Sequence, residues 1–223
     1  MSASKENFIK KVYELDNDIK KSVKPGLLAG ELGISNAAVT DMARKLSAKK
    51  LIHYERYGQI KLTPEGTKMA MDIIRKHRLW ETFLYRTLDM TLHEIHREAE
   101  MLEHQTSDYL VEKISEFLGN PSFDPHGDPI PGKNGILKPD KKRLILSDAE
   151  AGNYYKVCRL SGSDKEFFEF CRSVDIKIGS KMRIEKQYEK NKITEIFYND
   201  ARLMLGVNIT DKIFVEQITS TKS

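Results

Sequence analysis

Leu28-Ala-Gly-Glu-Leu-Gly-Ile-Ser-Asn-Ala-Ala-Val-Thr40 is the stretch on which the reading of the fold turns. Leu27–Leu32 reads as a short helix stopped at Gly33, because glycine closes a helix in the left-handed conformation without steric cost. Ser35 is a good N-cap for a second helix, from Asn36 to about Lys50. Upstream, Phe8, Ile9, Val12, Tyr13 and Leu15 fall on or near one face of an amphipathic helix over residues 5–20. Downstream, Leu51–Thr63 reads as two short strands around Gly58. Pro64 then opens a long helix at its first turn, where a missing N–H is harmless, and that helix runs to about Leu88. Helix, glycine turn, helix and β-hairpin is the winged helix-turn-helix order.

In that arrangement the N-terminal residues of the second helix lie nearest the base edges of the major groove. Here they are Ser35, Asn36, Ala37 and Thr40, small enough to permit close approach. Arg44, Lys45, Lys49 and Lys50 are placed to neutralise phosphates, and Arg56 at the hairpin tip can reach along the backbone or into the minor groove. Lysine-rich helix faces are often only solvated, so the charge alone does not decide the matter. Its distribution adds weight: residues 1–78 hold 16 Lys/Arg against 9 Asp/Glu, and residues 79–142 hold 7 against 12. A basic first segment suits a polyanion such as double-stranded DNA, and an acidic middle suits cations.

The middle segment carries His96-Arg-Glu-Ala-Glu-Met-Leu-Glu-His104. On a helix over 91–106, at about 100° per residue, His96, Glu100, Glu103 and His104 crowd one arc. Two imidazoles and two carboxylates make a poor core face and a good divalent-cation face. His77 and Glu81 repeat the pairing at i, i+4 on the preceding helix. A further helix is expected over 107–118. Residues 119–142 then hold five of the seven prolines and read as a linker or irregular loop.

Beyond it, short β-branched runs alternate with turns: 143–146, 154–160, 181–187, 193–198, 202–207 and 213–218, with one helix at 164–172. That spacing suggests a small antiparallel barrel. The expected fold is therefore mainly α with a β C-terminal domain. Residues 1–70 are expected to form a winged helix-turn-helix, 71–142 a helical domain that carries the cation face, and 143–223 a small β-barrel. No apolar run of membrane-spanning length occurs, the N-terminus lacks an apolar signal region, and two cysteines do not make a disulfide framework. A cytoplasmic protein is expected.

With these segments in view, the chain resembles the diphtheria-toxin-repressor/manganese-transport-regulator family of metal-dependent transcriptional repressors. Four stretches carry the resemblance: Leu28–Thr40, Arg75-Lys-His-Arg-Leu-Trp-Glu81, Glu98-Ala-Glu-Met-Leu-Glu-His104 and Asp128-Pro-Ile-Pro-Gly132. Ser161-Gly-Ser and Ile178-Gly-Ser-Lys-Met are similar to the SH3-like domain of longer members. The resemblance implies that 71–142 is the metal-binding and dimerisation domain and that it holds two neighbouring metal sites. The regulatory one would use Glu100, Glu103, His104 and the helix-one position filled by Asn7. Members usually have Asp or Met there, and Lys10 sits where some keep a carboxylate. The second site would use His77, Glu81 and His96, with Asp124 and His126 from the proline-rich loop and Asp164 from the SH3-like domain. Asp164 also reads as a simple cap for the helix after it.

Glu100 stands where some members place a thiol or thioether. A carboxylate-rich site with one imidazole is hard, which suits Mn²⁺ and then Fe²⁺. The implied function is metal-activated binding of operator DNA by a homodimer, repressing metal-uptake genes. The alternatives are an iron-dependent repressor on the same scaffold and a metal-independent winged-helix regulator. An enzyme is not expected: two-metal hydrolases also gather His and carboxylates, but no His-Glu-x-x-His, nucleophile elbow or phosphate loop occurs.

Overall fold

Gly33 adopts φ 62°, ψ 30° at the end of α2 (Pro25–Leu32), and Ser35 Oγ accepts the Ala38 amide at 3.2 Å to start α3 (Asn36–Ala48). The turn is thus built as its residues dictate. This computed structural model describes residues 2–18, 23–55, 58–137, 143–162 and 164–219. Ahead of the turn lies α1 (Ala3–Asp18); after it come β1 (Ile52–Tyr54) and β2 (Ile60–Leu62), paired antiparallel with Ile52 opposite Leu62. Phe8, Ile9 and Val12 of α1, Leu28 of α2, Val39, Ala43 and Leu46 of α3, and Ile52 and Ile60 of the hairpin form one buried core. Thr63 caps α4 (Pro64–Leu88) by accepting the Gly66 amide at 3.1 Å. Gly66 is required where it is, since a Cβ there would lie 2.0 Å from the Leu51 carbonyl oxygen.

α5 spans Leu92–Leu102 and starts from a capping box made by Thr91 and Glu94. It ends four residues before the sequence reading placed its end. Thr106 Oγ1 donates to the Leu102 carbonyl at 2.6 Å and accepts the Trp80 indole N–H at 2.7 Å, so the chain is pinned into a turn. α6 (Asp108–Phe117) follows from a Ser107 cap.

The C-terminal part is an antiparallel sheet in the order β3-β8-β4-β5-β6-β7. Its strands are β3 (Leu144–Ile145), β4 (Tyr154–Leu160), β5 (Lys181–Tyr188), β6 (Ile193–Tyr198), β7 (Ala201–Gly206) and β8 (Ile213–Ile218). α7 (Lys165–Ser173) leaves after β4, and a one-turn α8 (Val207–Thr210), absent from the sequence reading, joins β7 to β8. Leu146 just beyond β3 and Leu205 on β7 share one core with Tyr155, Val157 and Phe167, so the sheet curls around that core.

The proline-rich loop clamps the two halves together. Arg75 and Arg78 of α4 donate to the carbonyls of Pro131 at 2.8 Å and Pro129 at 2.5 Å. On its other side, the Leu160 amide donates to the His126 carbonyl at 2.9 Å, and Arg159 pairs with Asp128 at 2.8 Å. Gly127, at φ +90°, lies so close to β4 that a Cβ would stand 2.1 Å from the Cys158 carbonyl oxygen.

Candidate metal centre and nucleic-acid interface

The helical repeat of α4 sends Arg75 and Arg78 to the loop while His77 and Glu81, one turn apart, face α5. Both are buried, at 6% and 2% exposure. Glu81 Oε1 is the hub of one cluster. It lies 3.0 Å from His77 Nε2, 3.1 Å from His96 Nδ1 and 3.4 Å from His126 Nε2, and the two imidazole nitrogens of His77 and His96 are 3.2 Å apart. Ligand atoms at about 2.1 Å around a six-coordinate divalent ion sit about 3.0 Å from their neighbours. His77, Glu81 and His96 therefore already stand at coordination spacing, with His126 beside Glu81. His126 fits the same use: it is buried, its Nε2 faces Glu81, and its Nδ1 has no hydrogen-bond partner.

Electrostatics point the same way. Burial alone would raise the Glu81 carboxyl, but the charge of His77 and bonds from His126, His77 and His96 hold it well below the usual carboxylate range. Burial disfavours the His77 imidazolium, yet the charge of Glu81 and the bond to Glu103 outweigh burial and the nearby Lys10, raising it to about 9. Burial, then repulsion from Glu81 and Asp128, pushes Asp124 up to about 7. Asp124 Oδ1 accepts the amides of His126 at 2.9 Å and Asp128 at 2.8 Å, which shapes the loop beside the cluster.

A second group gathers around Glu103, whose side chain is fully buried. Glu103 Oε2 lies 2.6 Å from His77 Nδ1. Lys10 Nζ of α1 donates to both Glu103 oxygens, at 2.9 and 3.1 Å, and to Glu100 Oε1 at 2.6 Å. His77, rather than His104, completes this group with Glu100 and Glu103. His104 lies in the turn past α5, and its Nδ1 is 2.6 Å from Glu6 Oε2 of α1. Its Nε2 is buried, 3.4 Å from Glu103 Oε1 and unbonded; the Asn7 amide oxygen is likewise buried without a partner. An acceptor left open at such depth costs about 1–3 kcal/mol unless something binds it, so Asn7, Glu103 and His104 fit a hard cation. Glu6 escaped the sequence reading, although it adjoins Asn7 and is acidic.

Asp164 is a correction. It is exposed, caps α7 by accepting the Glu166 amide at 3.0 Å, and pairs with Lys212 at 2.8 Å. Its carboxylate is committed there and does not join either cluster. The SH3-like part reaches the centre through the His126 loop instead, and through Phe168 of α7, whose ring lies 5.3 Å from that of His126.

In the DNA-binding unit, Asn36, Ala37, Arg44 and Lys45 on α3 and its caps Ser35 and Lys49 are exposed and Thr40 is half-buried, opposite the buried Val39, Ala43 and Leu46. Lys45 pairs with Asp41 at 2.7 Å. Arg56 lies outside the described residues. No helix among the described residues is long and apolar enough to cross a membrane.

Residues 1–60 match the model of the iron-dependent repressor N-terminal DNA-binding domain, and residues 63–132 that of the iron-dependent repressor metal-binding and dimerisation domain. The diphtheria toxin repressor of Corynebacterium efficiens is 26% identical over 222 residues, covering 96% of this chain and 95% of that protein. A manganese-dependent transcriptional repressor solved in complex with manganese superposes with a TM-score of 0.89 at 30% identity, covering 96% of this chain and all of that one. The structure of ScaR with bound Zn²⁺ gives a TM-score of 0.81 at 32% identity, over 96% of this chain and 99% of that one. This chain belongs to the diphtheria-toxin-repressor/manganese-transport-regulator family of metal-dependent transcriptional repressors, a DNA-binding regulator and not an enzyme.

Proposed function

We propose that this chain is a manganese-activated repressor of metal-uptake genes that binds its operator as a homodimer. The observation that carries the proposal is the double duty of α1. One face, with Phe8, Ile9 and Val12, is sealed into the reader's core; the other brings Glu6, Asn7 and Lys10 to the groups around Glu103.

Two ion positions follow from the donor atoms. The first uses Asn7, Glu103 and His104 beside Glu100, and the second uses His77, Glu81, His96 and His126 beside Asp124. A bound divalent cation supplies the charge that offsets these crowded carboxylates. Asn7 and Glu103, drawn together, fix α1 against α4 and α5. Through their shared core α1 and α3 move as one, so the recognition helices of the two protomers take one spacing on a two-fold operator. Ser35, Asn36, Ala37 and Thr40 then face base edges, with Arg44, Lys45, Lys49 and Arg56 at phosphates. Tyr109 and Phe117 on α6, 75% and 70% exposed within the matched dimerisation region, support the homodimer.

Manganese is favoured by the oxygen-rich first position and by the manganese-dependent relative above. Fe²⁺ is the second reading, favoured by the three imidazoles of the second position. Fluorescence anisotropy on an operator duplex, selected from a random pool with Mn²⁺ present, tests the proposal. A thousandfold tightening by Mn²⁺ over chelator corresponds to about 4 kcal/mol. Equal affinity in the two conditions would overturn the reading, and tighter binding with anaerobic Fe²⁺ at matched free concentration would replace manganese by iron.

A further inference from the structure

We infer that the Lys10 ammonium is a built-in cation: it fills the pocket formed by His77 Nδ1, Glu100 and Glu103, and so holds the place of a metal ion that this chain does not bind. The inference rests on the metal-sensing reading above and concerns only how many ions the centre takes.

Three groups surround the ammonium. Nζ stands 2.6 Å from Glu100 Oε1, 2.9 and 3.1 Å from the two Glu103 oxygens, and 3.1 Å from His77 Nδ1. Those are the side chains that group together as a possible ion site. An ion about 2.1 Å from each of the same atoms would overlap the ammonium, so the two exclude one another. Lys10 is not a surface side chain that has drifted in. It is 6% exposed, and its neighbour Ile9 is fully buried in the reader's core, which anchors that turn of α1. Withdrawing it would leave the fully buried Glu103 with His77 as its one remaining hydrogen-bonded cationic partner among the described residues and Glu100 without the ammonium, which is destabilising.

The arrangement also divides His77 between two tasks. With Nδ1 given to Glu103, only Nε2 faces Glu81 and His96. Glu103 thereby becomes the carboxylate that orients an ion-binding imidazole through its far nitrogen, and Lys10 keeps that carboxylate in place. The open atoms of Asn7 and His104 in the first position, and His77 Nε2 in the second, are not among the atoms the ammonium contacts. Both are left available.

Equilibrium dialysis against Mn²⁺ alone, with metal counted by mass spectrometry, tests this on the full chain, Lys10→Glu and Lys10→Gln. Circular dichroism verifies folding of each. The expected result is one more ion per chain for Lys10→Glu than for the wild type. For Lys10→Gln, the remaining ions should bind about tenfold tighter or better, because a buried like charge has gone. Equal ion counts with equal affinities in all three chains would overturn the inference, as would an anomalous manganese peak among His77 Nδ1, Glu100 and Glu103 in wild-type crystals. No bound ion in any chain would overturn both the inference and the metal-sensing reading, whereas unequal counts without operator binding would overturn only the latter.

Discussion

Gly127→Ala is the perturbation that most directly probes how the centre is assembled. Gly127 sits at φ +90°, and its new Cβ would lie 2.1 Å from the Cys158 carbonyl oxygen and 3.0 Å from Arg159 Cα. Ordinary contact begins about 3.4 Å away, so the loop must retreat by more than 1 Å. The backbone conformation itself costs a non-glycine residue about 1–3 kcal/mol. Retreat also breaks the Leu160-to-His126 bond of 2.9 Å and strains the Arg159–Asp128 pair of 2.8 Å, and a lost hydrogen bond is worth about 1 kcal/mol. Together these give about 3 kcal/mol in urea unfolding of the ion-free protein. Because His126 leaves Glu81, Mn²⁺ affinity at the second position should fall at least about 10–100-fold, with the Asn7–His104 position unaffected. Calorimetric titration separates the two. Stability within about 0.5 kcal/mol of wild type and an unchanged Mn²⁺ isotherm would refute the reasoning that the loop is wedged against β4.

Three further outcomes follow from the same geometry. His77 is protonated in the ion-free centre up to about pH 9, against an ordinary value of 6.5. Its contribution to ion-free stability is complete below pH 6.5 and fades as pH rises through 9; since an ion at Nε2 displaces that proton, Mn²⁺ affinity should rise about tenfold per pH unit across the window. A pH-independent isotherm between 6.5 and 9 would be the contrary result. Glu103→Gln leaves Lys10 buried against one carboxylate instead of two and should cost about 1–3 kcal/mol in urea unfolding, while an unaltered unfolding curve would mean the clasp carries no weight. Asp164→Ala should leave ion count and affinity as in wild type, because that carboxylate faces Lys212; a lost ion in dialysis would restore it as a ligand.

The reader was legible because its signals are local. Gly33 and Ser35 dictate a turn whatever surrounds them, and Pro64 can only open a helix. His77, Glu81 and His96 were legible from spacing on helices, and His126 from its resemblance to a family loop. What escaped is non-local. Lys10 lies 67 residues from His77 and 93 from Glu103, and nothing in the periodicity of α1 says which partners its polar face meets. The end of α5 depended on Thr106 bonding Trp80 from another helix, a contact that no local pattern announces. The strand order β3-β8-β4 depends on pairing between distant segments. Asp164 shows the converse error: family position suggested a ligand, and the simpler capping role was the one its neighbours enforce.

Linkage offers the most direct test of the central claim, that ions at the α1–α4–α5 junction and DNA at α3 speak through one rigid α1. Mn²⁺ affinity is measured with and without saturating operator duplex, alongside operator affinity with and without Mn²⁺. The account predicts that operator tightens Mn²⁺ binding by the same factor that Mn²⁺ tightens operator binding. An identical Mn²⁺ isotherm in the presence and absence of DNA would contradict it.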